Sequence, residues 1–212
     1  VMRNLAGIAS MLLTFYAIKY LPISIAVLLM NTSALFVPLL LFVLRTRTPL
    51  KVLACSFLGF AGVSIIMLTD SSKHFELQHI GYALGAAFLA AMAFISLQEL
   101  NKHNSPKNIV FYFHLLGSLL LPLFFVTQWT IPSTQGFVLL LLVGGFGLVF
   151  QLLLTRAFKY APANVITPFA FTGVIFSSIC DWLFWNNVPT LNFWIGSLVI
   201  IVSVSLLAKI RR

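Results

Sequence analysis

Long apolar stretches follow one another along the whole chain, and short segments with Pro, Asn or charged residues separate them. Each stretch is close to the roughly 20 residues that an α-helix needs to cross the hydrocarbon core of a bilayer. The stretches are continuously apolar, whereas transmembrane strands alternate apolar and polar positions. The pattern therefore predicts an all-α membrane protein with eight spans. They are residues 5–20, 22–44, 50–68, 80–100, 109–129, 134–160, 163–185 and 191–208.

The amino-acid composition supports this reading and excludes a water-soluble domain. Hydrophobic residues make up 60% of the 212 positions and charged residues only 8%, and the mean hydropathy is +1.04. Soluble domains carry roughly 25% charged residues. We therefore expect the lipid bilayer to be the main surroundings of the chain.

Basic residues are unevenly distributed between the two faces that the eight spans define. Eleven Lys and Arg residues, Arg3 among them, fall on one face, and only Lys19 and Lys73 fall on the other. Short loops rich in Lys and Arg remain in the cytoplasm, so the C-terminus is predicted to be cytoplasmic. The same asymmetry accounts for the net charge of +9 without a nucleic-acid partner.

One six-residue phrase occurs twice, as AIKYLP at residues 17–22 and as AFKYAP at residues 157–162. Five predicted crossings separate the two copies, so they lie on opposite faces of the membrane. Pro49 and Pro189 are also 140 residues apart. Each lies just before the second span that follows a copy of the phrase. The chain is therefore predicted to contain an inverted repeat, as many secondary transporters do.

The repeat also predicts a domain organisation. Gly59 and Gly196 occupy similar places in the last span of each unit, with a slip of three residues. The second unit contains two spans, 80–100 and 109–129, that have no counterpart before residue 5, so we expect two further helices upstream and a complete fold of five plus five spans. Residues 1–70 are then spans three to five of the first repeat, and residues 78–212 are the second repeat.

Two segments carry a resemblance to a known family. Residues 151–201, QLLLTRAFKYAPANVITPFAFTGVIFSSICDWLFWNNVPTLNFWIGSLVII, resemble the last three spans of EamA-type members of the drug/metabolite transporter superfamily. Residues 20–40, YLPISIAVLLMNTSALFVPLL, resemble the fourth span. The resemblance implies a secondary transporter in the inner membrane that moves a small metabolite by alternating access.

Within that family the chain is most similar to the branch of S-adenosylmethionine and riboflavin-like carriers. The similarity rests on Pro168, Phe169, Phe171 and Thr172, which match a Pro-Phe-x-aromatic-Thr phrase. Many members carry a Gly-Glu pair near residues 45–47 and 186–187, where this chain has Arg and Asn instead. No role of that glutamate can be transferred to this chain.

Candidate solute-binding residues are polar groups predicted to lie inside the bilayer, where they cost free energy unless they face a cavity or a partner. Gln151 lies nine residues before the end of its span, about 13 Å at 1.5 Å per residue, and Asn31 and Thr32 lie at matching depth in the other half. The alternative for these amides is a hydrogen bond between neighbouring helices. Thr155, Thr167 and Thr172 are weaker candidates, because a threonine hydroxyl can bind its own helix.

Aromatic and proline residues provide a second group of candidates. Phe171 follows Pro168 closely, and a proline-kinked helix with aromatic side chains could stack a planar or cationic solute. Pro38 is a second candidate hinge. His114 and Asp181 are candidates for coupling to protons or cations, although Asp181 lies near a helix end where solvation is the simpler fate.

Other functional classes find little support in the sequence. It contains no nucleotide-binding phrase, and no nucleophile with a matched base, so we expect no enzyme, no cofactor and no metal site. Two alternatives to a transporter of a small-molecule solute are a membrane scaffold without transport and, with less support, a membrane-embedded transferase. The oligomeric state is not predicted.

Overall fold

The computed structural model describes residues 2–21, 23–44, 49–67, 76–125, 131–186 and 188–210. Within these ranges every regular element is a helix, so the all-α prediction is confirmed. Of the residues discussed above, Pro22, Arg45, Arg47, Lys73 and Asn187 lie outside the described ranges. The helices are α1 (Met2–Tyr20), α2 (Ile23–Asn31), α3 (Ser33–Val43), α4 (Leu50–Met67), α5 (Leu77–Leu100), α6 (Pro106–Phe125), α7 (Thr134–Tyr160), α8 (Ala163–Ile166), α9 (Thr172–Trp185) and α10 (Leu191–Ile210), with a 3-10 helix (Thr167–Phe171) before α9.

Four segments of the described chain are long and apolar enough to cross a membrane. Shorter apolar helices occupy Leu50–Ile66 and Ala163–Phe176. The structure thus supports a multi-pass membrane protein through these four segments. They are Ala26–Val43, Leu77–Leu100, Thr134–Tyr160 and Leu191–Lys209.

Two of the predicted spans, 22–44 and 163–185, are broken into shorter helices. Thr32 separates α2 from α3, and its hydroxyl donates to the carbonyl oxygen of Leu29. In the second span the 3-10 helix separates α8 from α9, and Pro168 is its second residue. Since proline removes one helical hydrogen bond, it explains why the α-helical pattern is interrupted there. Both breaks follow a copy of the repeated six-residue phrase.

Helix α5 holds several elements together through a stripe of small residues. Ala83, Ala86, Ala87 and Ala91 on this helix are buried, and α1 packs more extensively on α5 than on any other helix. Ser10 of α1 donates its hydroxyl to the carbonyl oxygen of Ala86 at 2.8 Å. Small side chains allow helices to approach closely, which is how apolar helices associate in a bilayer.

Helices α4 and α10 form the other extensive pair. They run antiparallel, because Ser203 donates to the carbonyl oxygen of Cys55 at 2.6 Å while Gly196 lies against Gly62. The contacts around the two glycines are reciprocal: Gly62 meets a side chain at position 200, and Gly196 meets one at position 66. The structure thus brings Gly62, rather than Gly59, against Gly196.

Candidate functional site

A cavity of about 360 Å³ lies where α1, α2, α3 and α5 meet the 3-10 helix and α9. Most of its wall is formed by small or apolar residues, among them Ala86, Ala90 and Gly173. We call it the Asn31 cavity, because Asn31 contributes an amide to it. Its other polar lining residues are Ser10, Thr14 and Ser33. The cavity therefore combines an apolar surface with a few hydrogen-bonding groups, the usual composition of a small-molecule site.

Of the two adjacent candidates Asn31 and Thr32, only Asn31 lines this cavity. The Asn31 amide nitrogen donates to the carbonyl oxygen of Val27 at 2.9 Å, which holds the half-buried side chain against its own helix. The Thr32 hydroxyl is bound to Leu29, one turn earlier. The two residues are neighbours in sequence, yet only Asn31 presents a polar side chain to the cavity.

A larger, mainly apolar cavity of about 1100 Å³ lies between α1, α6 and α7. We call it the Gln151 cavity. Gln151 of α7 and His114 of α6 both line it. Nδ1 of His114 lies 2.9 Å from the carbonyl oxygen of Val110, so this nitrogen carries the proton that makes the bond. Gln151 and Asn31 therefore line two separate cavities, and α1 contributes to both.

Arg3 is a buried residue that sequence reasoning missed, because it was counted among the charges of a solvated face. Its side chain is only 5% exposed. Nη2 donates to Oε1 of Gln151 at 3.2 Å, and the guanidinium carbon lies 3.9 Å from the centroid of the Phe113 ring. A signal was present in the sequence: Arg3, Gly7, Ser10 and Thr14 form a polar and small stripe at helical spacing.

Nη1 of Arg3 is buried and has no hydrogen-bond partner in the described part of the chain. Arg3 also borders a smaller cavity of about 280 Å³ near the end of α5, which it shares with Ser96, Glu99 and His103. Glu99 is exposed and pairs with Lys102 at 2.6 Å. Arg3 thus lines this small cavity and donates to Gln151, a residue of the Gln151 cavity, which Arg3 itself does not line.

The three candidate threonines of α7 to α9 line neither of the two named cavities. Thr167 donates to the carbonyl oxygen of Ala163 at 2.9 Å, and Thr172 donates to that of Phe169 at 2.7 Å. Thr155 is fully buried, and its hydroxyl has no partner among the described residues. Two of these hydroxyls are therefore satisfied within their own helical segment, as threonine permits.

Phe171 and the two candidate hinge prolines are core residues in the structure. Phe171 is fully buried in a cluster with Val174 and Ile200, whereas Phe169 is 40% exposed. Pro38 lies buried inside α3, and Pro168 lies buried at the start of the 3-10 helix. Their burial favours a structural contribution from each of these side chains.

The remaining candidate chemistry is sparse. Asp181 belongs to α9, but its side chain lies outside the described part of the structure. Over the described residues, no group of three His, Cys, Asp or Glu side chains is placed to hold a metal ion. The arrangement offers amides, hydroxyls and one buried guanidinium, which suit binding of a solute.

Comparison with known proteins gives a family and several distant relatives. A model of the EamA-like transporter family matches residues 78–209, more than half of the chain. The pseudopaline exporter of Pseudomonas aeruginosa is 29% identical, over 99% of this chain and 74% of its own length. The riboflavin transporter of Vibrio cholerae is 27% identical, over 98% and 70%. The S-adenosylmethionine uptake transporter of Rickettsia prowazekii is 24% identical, over 95% and 68%.

A solved protein structure shares the fold. It aligns with a TM-score of 0.84 over 98% of this chain and 76% of the other, at 16% sequence identity. Such similarity extends the helical arrangement to a structure that was solved independently. It carries no information about which solute either protein binds.

Proposed function

This chain belongs to the EamA-like transporter family, and we propose that it moves a small organic metabolite by alternating access between two inverted halves. Proteins of this family are membrane carriers and not enzymes. The proposal goes further than membership of the family, because it assigns alternating access to two particular parts of this chain. The halves are residues 1–70 and residues 78–212.

Two structural relationships support the inverted halves. The reciprocal contacts of Gly62 and Gly196 are those expected when a two-fold axis passes between α4 and α10. The broken spans α2–α3 and α8–α9 each follow a copy of the repeated phrase, and broken helices at equivalent places in two halves are typical of transporter sites. The family match begins at residue 78, where the second proposed half begins.

The Asn31 cavity is the single observation that carries the proposal. Its lining comes from α1, α2 and α3 of the first half and from α5, α9 and the 3-10 helix of the second. A solute held there would contact both halves. Tilting one half against the other would then open the cavity to one face of the membrane and close it to the opposite face.

Residue roles follow from this geometry as proposals. Asn31 binds the solute in the Asn31 cavity, and Gln151 binds it at a separate point of its path, in the Gln151 cavity. Thr32, Thr155, Thr167, Phe171 and Thr172 remain weaker candidates, and their hydrogen bonds and burial favour supporting roles. Pro38 and Pro168 act as hinges beside the breaks, while His114 and Asp181 are the candidates for ion coupling.

The solute is proposed only as a class. The named relatives carry pseudopaline, riboflavin or S-adenosylmethionine, so their names do not select one solute for this chain. S-adenosylmethionine remains a candidate because of the phrase around Phe171. The proposed location is the inner membrane with a cytoplasmic C-terminus; without the buried Arg3, the charge asymmetry is still ten against two.

The proposal is tested by uptake into proteoliposomes of radiolabelled S-adenosylmethionine, riboflavin and amino acids. Asn31→Ala is compared with wild type and with Asn108→Ala, a control at an exposed amide in the first turn of α6. Saturable uptake that Asn31→Ala weakens and Asn108→Ala leaves intact would support the proposal. Folded protein that neither takes up nor exchanges any of the solutes would contradict it and favour a scaffold.

A further inference from the structure

Arg3 carries a buried charge whose electrostatic compensation is incomplete. A buried charge is costly unless it is paired and fully hydrogen-bonded. Gln151 supplies a neutral amide oxygen at 3.2 Å, and the Phe113 ring supplies its electron-rich face at 3.9 Å. Neither partner is an anion, and Nη1 has no hydrogen-bond partner among the residues that the structure describes. The described part of the chain therefore places no negatively charged group on Arg3.

The described carboxylates do not fill this role. Glu76 lies 3.8 Å from His79, and Glu99 is bound to Lys102 at 2.6 Å. Glu99 borders the same small cavity as Arg3, yet it is exposed and paired. In the described part of the chain, no carboxylate is paired with Arg3 in place of a bound anion.

Arg3 contacts two residues in the wall of a cavity of suitable size, although Arg3 itself does not line that cavity. Its hydrogen-bond partner Gln151 and its ring partner Phe113 both line the Gln151 cavity, which measures about 1100 Å³. Pockets that bind metabolites commonly enclose about 300–1000 Å³. The rest of the wall is mainly apolar, with Ile8, Met11 and Phe150 among its members. An amphipathic solute that places its apolar part there would bring its charged end to Arg3 once the Gln151 side chain turns aside.

We propose that Arg3, oriented by Gln151 and Phe113, binds a carboxylate group of the transported solute. This inference rests on the transport function proposed above and narrows its substrate class to organic carboxylates. Nη1 of Arg3 is buried and has no partner among the described residues. With the Gln151 side chain turned aside, Nη1 can donate to one carboxylate oxygen, and the amide nitrogen of Gln151 is a second donor beside it.

Binding is measured as thermal stabilisation of the full-length protein in detergent, with matched probes that differ by one anionic group. S-adenosylmethionine is compared with decarboxylated S-adenosylmethionine, phenylalanine with phenethylamine, and flavin mononucleotide with riboflavin. The first two pairs test a carboxylate, and the third tests a phosphate. We expect a carboxylate to stabilise wild type where its decarboxylated partner does not.

Variants then assign the effect to Arg3. Arg3→Gln should weaken carboxylate binding roughly tenfold or more, as expected for loss of a charged hydrogen bond. Arg3→Lys should retain part of it, because lysine keeps the charge but not the planar fork. Arg156→Gln, at an exposed arginine of α7, is the matched control and should bind as wild type. The unliganded melting temperature of each variant shows whether it is folded.

The proposal would be overturned if carboxylates bound Arg3→Gln as tightly as wild type. It would also be overturned if folded wild type bound no carboxylate, or if flavin mononucleotide were the only probe that stabilised it. Transport of the bound solute separates this proposal from the proposed function. A carboxylate that binds through Arg3 but is not moved would keep the site and contradict transport. A solute that Arg3→Gln moves at the wild-type rate would keep transport and contradict the site.

Discussion

Gly62 and Gly196 lie face to face where α4 crosses α10: a β-carbon on Gly62 would be 2.8 Å from the carbonyl oxygen of Gly196, and one on Gly196 would be 2.5 Å from that of Gly62. Both distances are too short for real β-carbons, so the two helices can approach this closely only with glycine at both positions. The contact is a structural requirement of the pair and, in our account, marks the axis that relates the halves.

Alanine at Gly62 or Gly196 is expected to destabilise the protein, because the added methyl group must push one backbone away from the other. Overpacking of this kind costs about 1–3 kcal/mol. Thermal unfolding in detergent should show a lower melting temperature for each variant. In the double variant the decrease should be smaller than the sum of the two single decreases, because one displacement of the helices makes room for both methyl groups. Gly81→Ala is the control, because nothing lies within 4 Å of its added β-carbon. Unchanged stability of Gly196→Ala would contradict the observed packing.

Phe171 is expected to act through stability. It is fully buried, and its ring lies 2.5 Å from where a β-carbon on Gly59 would be. Phe171→Ala should cost about 3–5 kcal/mol, as large-to-small changes in a core do, whereas Phe169→Ala at a partly exposed ring should cost much less. The check is thermal unfolding together with solute affinity of the folded fraction. A fully stable Phe171→Ala protein with weakened solute affinity would instead assign this ring to the binding site.

Asn31 and Thr32 should respond differently to substitution, although they are neighbours. Asn31→Ala removes an amide from the cavity wall and should raise the KM for the solute roughly three- to tenfold, the effect of one lost hydrogen bond. Thr32→Val removes a hydroxyl that is bound to Leu29 and should leave KM near the wild-type value. Uptake kinetics in proteoliposomes measure both. The reverse ranking would move the site to the break between α2 and α3.

Thr155→Val is expected to maintain or raise the melting temperature. The Thr155 hydroxyl is buried and has no partner in the described ranges, so its removal relieves an unsatisfied polar group while the side-chain volume is kept. The carbonyl oxygen of Thr155 still accepts from Asn101 at 3.0 Å, so the tie between α5 and α7 is preserved. A stable Thr155→Val protein that no longer transports would show that this hydroxyl binds solute or water during the cycle.

The positions of the helices could be predicted from sequence because their physical cause is local. A run of about 20 apolar residues has few alternatives to a helix in a bilayer, and the predicted spans coincide closely with α4, α7 and α10. The breaks in 22–44 and 163–185 were harder to foresee. They depend on how single residues such as Thr32 and Pro168 are accommodated by neighbouring helices.

The site could be predicted only in part, because depth along a helix does not determine which way a side chain faces. Asn31 and Gln151 were placed at matching depths, but the structure assigns them to different cavities. Arg3 was missed since counting charges treats every arginine near a span end as solvated. Its burial depends on Gln151 and Phe113, which are distant in sequence and meet it only in the folded chain.

The most direct test of alternating access is the accessibility of Ser33→Cys, a position in the wall of the Asn31 cavity, in a background where Cys55 and Cys180 are replaced. A membrane-impermeant maleimide is applied to right-side-out and to inside-out vesicles, with and without transported solute. Ser64→Cys, on α4 and outside the Asn31 cavity wall, serves as the control. The account predicts labelling of Ser33→Cys from both sides, with solute changing the two rates in opposite directions. Labelling from one side only, at a rate that solute does not change, would contradict it.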